Sequence, residues 1–143
     1  MHYVVATDGS TESDEAVRYA TRQALACDAR LELVHVLTPR TELIDGEIVM
    51  PGGETAVERG LRTLEEARSL AAELAAERDA DLTVETELLA GRPAQTIAEY
   101  AETEDADAIY VGHRGLSSER EGVVGSVAKS VVDRATVPVT IIR

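Results

Sequence analysis

Short apolar runs alternate with segments of helical spacing from one end of the chain to the other, and this alternation limits the fold more than any other feature. Residues 2–7, HYVVAT, are apolar, and Ala16, Val17, Ala20, Ala24 and Cys27 then recur at the spacing of one helix face, with Thr11 and Asp14 as a capping pair. A second apolar run covers 31–37. Residues 54–79 predict the longest helix, with Leu61, Leu64, Ala67, Ala71, Leu74 and Ala75 on one side and a solvated Glu/Arg face opposite. Leu82, Val84, Thr86 and Leu88 alternate with polar residues, as a half-covered strand at a sheet edge would. Pro93 suits a first helical turn, and Ile97, Ala98 and Ala101 supply that helix with a packing face. An apolar run at 106–111, a helix over 126–135 and a strand at 139–142 complete the series. Five strands and four helices in alternation predict an α/β fold: one doubly wound domain over residues 1–143, with a parallel sheet covered on both faces and right-handed crossovers. Residues 38–53 contain two prolines and three glycines without a clear period, and read as an irregular loop.

The passage from the fourth strand to the last helix, residues 111–127, reads VGHRGLSSEREGVVGSV. Gly112, Gly115 and Gly125 let the backbone adopt unusual torsions and come close to a ligand, and Ser126 follows at once. The N–H groups at the start of a helix carry partial positive charge, so phosphate is the natural guest; the plainer reading is a glycine-rich turn that links strand to helix. The spacing Gly-x2-Gly-x9-Gly-Ser is neither the Walker A pattern nor the dinucleotide fingerprint. It resembles the nucleotide-binding signature of the universal stress protein family. The likeness extends along the chain, through Val4-Val5-Ala6-Thr7-Asp8, Leu33-Val34-His35-Val36, Gly91-Arg92-Pro93 and Val137-Pro138-Val139.

That resemblance implies strand order 3-2-1-4-5 in an adenine nucleotide alpha hydrolase-like fold, and ATP with Mg²⁺ as ligand. Ala6, Thr7 and Asp8 would line the adenine and ribose end, and the backbone of Val36 would meet the adenine edge. Gly112 with His113 and Arg114 would approach the ribose and first phosphate, while Gly115, Gly125, Ser126 and the N–H of Val127 would hold the others. Four or five charge-assisted contacts at about 1.5–3 kcal/mol each support micromolar binding after association costs. Asp8 has a second reading as the cap of the first helix, and Arg114 as the partner of a nearby Glu. Glu119 and Glu121, with only Arg120 between them, would repel a triphosphate unless Mg²⁺ or an arginine intervenes.

Composition bears mainly on partners. The chain has 27 acidic and 14 basic residues, and a net charge of −13 argues against nucleic acid and anionic membrane. Lys129 is its only lysine, which together with the acidity fits solubility in a concentrated-salt cytoplasm, as in a halophilic archaeon. No run of about 18 apolar residues and no basic-then-apolar leader occur, so a cytoplasmic protein is expected. Cys27 lies at apolar spacing and is expected to be a small buried residue. His35 reads as a satisfied core histidine, and His2 is uninformative; the three histidines are too scattered for a metal site. No nucleophile beside a base and no Walker B carboxylate follow a strand, so turnover is limited to slow ATP hydrolysis or self-phosphorylation. The turn Asp8-Gly9-Ser10-Thr11-Glu12-Ser13 lacks the second Gly and the Asp-Ser ending of the ATP pyrophosphatase-type synthetases. The competing reading is a dimeric interaction module of the same fold that binds no nucleotide. In either case Val139, Ile141 and Ile142 on the last strand are expected to pair with a second copy as a homodimer; no motif names a downstream protein.

Overall fold

Each apolar run becomes a strand, and every strand of the main sheet runs parallel to its neighbours. The structure, a computed structural model, describes residues 1–38, 42–44, 47–49, 53–114 and 124–143. The first half of the chain comprises β1 (His2–Ala6), α1 (Thr11–Cys27), β2 (Arg30–Leu37), β3 (Glu42–Ile44), β4 (Glu47–Val49) and α2 (Glu54–Glu77). The second comprises β5 (Val84–Ala90), α3 (Pro93–Thr103), β6 (Ala108–Gly112), α4 (Ser126–Arg134) and β7 (Val139–Ile142). Sheet order is β5-β2-β1-β6-β7, which is 3-2-1-4-5 when the five main strands are counted along the chain.

Side chains alternate across the strands, so each strand feeds two cores. Tyr3, Val5, Leu31 and Leu33 pack with Ala16, Val17, Ala20 and Ala24 of α1 and Leu64, Ala67 and Ala71 of α2. On the other face Val4, Val34, Ile109 and Val111 meet Ile97 and Ala101 of α3 and Ala128 and Val131 of α4. The central strands are buried on both faces, which is why they read as continuous apolar runs; β5, at one edge, alternates half-buried with exposed residues. Helix α2 comes down on the sheet at Gly60, where a Cβ would stand 2.7 Å from Leu88 Cδ1 and 3.2 Å from His35 Cδ2.

Three expectations need correction. Within the stretch read as an irregular loop, β3 and β4 pair antiparallel, Ile44 opposite Glu47. The sequence signal for that hairpin is Asp45-Gly46, a dipeptide favoured in two-residue connections. Cys27 is exposed. It is the last residue of α1, followed by the left-handed Asp28 that turns the chain back into β2. The cap of α1 is Ser10, one residue before the expected Thr11, and its side chain accepts the N–H of Ser13, leaving Asp14 without a capping role.

His2, uninformative in the sequence, anchors a polar network at the amino ends of the strands. Its Nε2 lies 2.9 Å from Glu32 Oε1, and Tyr100 on α3 donates to Glu32 Oε2 at 2.7 Å. The Arg30 guanidinium lies 3.2 Å from His2 Nδ1 and the Glu104 carbonyl 3.3 Å from it, while the Nε2 side faces the carboxylate. Asp107 accepts the His2 backbone N–H at 2.7 Å. Burial, and then the hydrogen bond to Glu32, push the Tyr100 phenol well above its ordinary pKa.

Candidate functional site

The carboxyl ends of β1 and β6 lie side by side at the centre of the sheet, and the chain leaves them in opposite directions. Helix α1 leads toward β2, and α4 leads toward β7 on the other side. Open α/β sheets take their ligands in the crevice at such a reversal.

The end of β1 is built by short hydroxyl side chains. Thr7, Ser10 and Ser13 are all buried. Ser13 Oγ–H donates to the Ser10 carbonyl at 3.0 Å, so Thr7 Oγ1–H donates to Ser13 Oγ at 3.2 Å. Thr7 Oγ1 in turn accepts Gly9 N–H at 3.3 Å, and Gly9 sits at φ +82°, a torsion that favours glycine. Asp8 Oδ1 accepts Ser10 N–H at 2.9 Å. The Asp8 carboxylate therefore shapes the turn that leads into α1, while Ser10 does the capping. The first turns of α1 are crowded with acid. Burial raises the Asp14 pKa, Arg18 works against that shift, and Glu66, Asp8 and Glu15 add to it.

Next to this turn the ladder between β1 and β2 stops. The last paired residues are Ala6 and Val34, and the last backbone link is Thr7 N–H to the Val34 carbonyl at 2.9 Å. Backbone polar groups alternate along a strand, so Val36, two residues on, turns its N–H and C=O to the same side as Val34, beyond the end of β1. The Thr7 carbonyl accepts His35 Nδ1–H at 2.7 Å.

At the end of β6, a Cβ at Gly112 would stand 2.8 Å from Glu12 C and 2.9 Å from Ser13 N, so the first turn of α1 by itself calls for glycine there. His113 is buried; its N–H donates to the Ile142 carbonyl at 2.6 Å and its own carbonyl accepts Gly125 N–H at 2.7 Å. Its Nε2 is buried without a hydrogen-bond partner among the described residues. Arg114 Nη2 donates to Glu12 Oε1 at 3.0 Å, so of its two readings the structure contains the ion pair. Gly125 is the N-cap of α4 and offers no side chain to its first turn, where Ser126 and Val127 are exposed.

The structure thus gathers Ala6, Thr7, Asp8, Gly112, His113, Arg114, Gly125, Ser126 and Val127 at the ends of two adjacent strands, with Val36 one strand further. Gly115, Glu119, Arg120 and Glu121 lie outside the described residues. Sequence reading missed Ser10, Glu12, Ser13 and the role of His35. Two serines three apart before an apolar stripe were a usable capping signal; Glu12 carried none. Among the described residues, no cluster of His, Cys, Asp or Glu is arranged to hold a metal, and no helix is long and apolar enough to cross a membrane.

These features define an open, doubly wound α/β protein with two polar turns side by side at its switch point. The sequence model of the Universal stress protein family matches residues 1–143, and the chain belongs to that family. A universal stress protein of Thermus aquaticus is 36% identical over 140 residues, covering 98% of this chain and 96% of the relative. One from Mycolicibacterium smegmatis is 30% identical over 147 residues, and there the chain spans only 47% of the relative's length. Among solved structures, a universal stress protein from Archaeoglobus fulgidus has a TM-score of 0.73 at 25% identity, covering 100% of this chain and 93% of that one. A universal stress protein solved in complex with cAMP has a TM-score of 0.70 at 26% identity, covering 100% and 97%.

Proposed function

We propose that this chain binds an adenine nucleotide, ATP with Mg²⁺, at the crevice between β1 and β6, and acts in the stress response as a nucleotide-dependent regulator or protector with little or no turnover. One observation carries this reading. The β1–β2 ladder ends at Ala6 and Val34, so the Val36 main-chain N–H and C=O point past the end of β1, at the end of the sheet where β6 passes into α4 with no side-chain cap on its first turn. A neighbouring N–H and C=O suit the adenine edge, and an uncapped helix start suits phosphate. The solved relative in complex with cAMP supports the adenine class. Ala6, Thr7 and Asp8 would then border the base and sugar, Gly112 to Arg114 the sugar and first phosphate, and Gly115, Gly125, Ser126 and Val127 the remaining phosphates. Mg²⁺ would arrive with the phosphates, since the described residues offer it no carboxylate cluster.

Titration calorimetry with ATP and Mg²⁺ tests the assignment. Gly125 has φ −64°, which valine can adopt, so Gly125→Val adds a side chain at the phosphate position without backbone strain. Micromolar binding by the wild type and its loss in the variant are expected; equal affinity in both would remove the phosphate site from α4.

The second reading, an interaction module without nucleotide, draws on the Arg114–Glu12 pair, which already occupies the arginine of the loop. Mass spectrometry of protein purified without added nucleotide separates the two: co-purified ATP favours the first. We also propose a homodimer along β7, an edge strand of the sheet. Val139, Ile141 and Ile142 are half-buried within the protomer, so this proposal rests on the open backbone edge more than on exposed apolar area.

A further inference from the structure

Parallel strands that continue side by side keep exchanging backbone hydrogen bonds. After Thr7 N–H to the Val34 carbonyl, the next bond of the series would run from Val36 N–H to the Thr7 carbonyl. That carbonyl is taken instead by a side chain: His35 Nδ1 lies 2.7 Å from it. A carbonyl only accepts, so Nδ1 carries the proton. The ring is also held from behind, because Gly60 lets α2 approach until a Cβ at that position would stand 3.2 Å from His35 Cδ2. An imidazole clamped between a helix and the end of a neighbouring strand has one place to put its donor.

We propose that His35 is a positioning residue for base recognition: by donating to the Thr7 carbonyl it ends the β1–β2 ladder and keeps the Val36 N–H and C=O free to read the base. The inference rests on the reading that an adenine nucleotide occupies this crevice, and it adds what makes the edge available. A single N–H and C=O in fixed order match the acceptor N1 and donor N6 of adenine, whereas guanine presents acceptor and donor reversed. His35 therefore bears on selectivity for the base and not on the phosphates.

The test uses the full chain with His35→Leu, which removes the donor, and His35→Asn, whose side-chain amide places a donor near the position of Nδ1. ATP, GTP and inorganic tripolyphosphate are titrated into each. Leu is expected to lower ATP affinity at least tenfold and bring the ATP-to-GTP ratio toward one, with tripolyphosphate unchanged, while Asn keeps both within about threefold. Amide hydrogen exchange, with no ligand present, supplies an independent readout: the Val36 amide should gain protection in His35→Leu as the ladder extends to Thr7. An unchanged Val36 amide, or a Leu variant with wild-type ATP-to-GTP preference, overturns the proposal. A wild type that binds neither ATP nor tripolyphosphate, with the Val36 amide still gaining protection in the Leu variant, would refute the nucleotide reading and leave the ladder-ending role standing.

Discussion

Removing one hydroxyl, in Tyr100→Phe, should measurably weaken the fold. The Glu32 side chain is only 8% exposed, and its two oxygens are held by His2 at 2.9 Å and by Tyr100 at 2.7 Å. Phenylalanine keeps the ring against Ile97 and the second core but leaves Glu32 Oε2 without that donor. A hydrogen bond to a charged group contributes about 1.5–3 kcal/mol, and the partial exposure of Tyr100 lets water recover some of it, so a loss of about 1.5 kcal/mol is expected. In a domain of this size that corresponds to a fall in Tm of about 5 °C. Urea unfolding and a thermal scan at pH 7 in molar salt measure both. In a Glu32→Leu background the same substitution should cost under about 0.5 kcal/mol, because the acceptor has gone. The sign with pH follows from the raised phenol pKa. The stability it brings is complete below its ordinary value of about 10 and is lost as pH climbs through the raised one, so wild type and variant should converge in alkali. A Tyr100→Phe protein within about 0.5 kcal/mol of wild type at pH 7 would show that Glu32 does not depend on the phenol.

Three other outcomes follow from the same geometry. Gly112→Ala should destabilise by about 1–3 kcal/mol in urea unfolding, since its Cβ would meet backbone atoms of Glu12 and Ser13 that only a shift of α1 can clear; a stable variant with reduced ATP affinity would instead return Gly112 to the role of ligand contact. Dialysis from molar salt to about 0.1 M should lower Tm and helical circular dichroism, because the net charge of −13 is then less screened; full retention of both would count against adaptation to high salt. Light scattering should give about twice the 15.3 kDa chain mass, and Ile141→Lys on the β7 edge should shift it toward monomer; a monomeric wild type at micromolar concentration in high salt would refute the edge pairing.

The elements of this fold were legible because each satisfies a local rule. Strands buried on both faces read as apolar runs, β5 alternates because only one of its faces is covered, and Pro93 marks the first turn of α3. The strand order came through resemblance, since nothing local says that β6 inserts beside β1. What escaped the sequence depends on distance. Glu32 stands alone between Leu31 and Leu33, a visible anomaly, yet its partners His2 and Tyr100 are 30 and 68 residues away and meet it only through sheet register and the docking of α3. At Gly112 the atoms that would crowd a side chain belong to a helix about 100 residues earlier in the chain, which no local pattern shows. Glu12, which pairs with Arg114, is likewise distant in the chain. His35 read as a core histidine; it is only half-buried, and the Thr7 carbonyl it donates to lies 28 residues earlier in the chain, beyond the reach of any local pattern.

The most direct test of the central claim is a backbone amide chemical-shift titration of the wild type with ATP and Mg²⁺ in high salt. Nucleotide in the switch-point crevice predicts the largest changes at Ala6 to Asp8, Val36, Gly112 to Arg114 and Gly125 to Val127, with the amino ends of the strands around His2, Glu32 and Asp107 unmoved. No change at Val36 and Val127 under saturating ATP, or changes centred on any other surface, would contradict it.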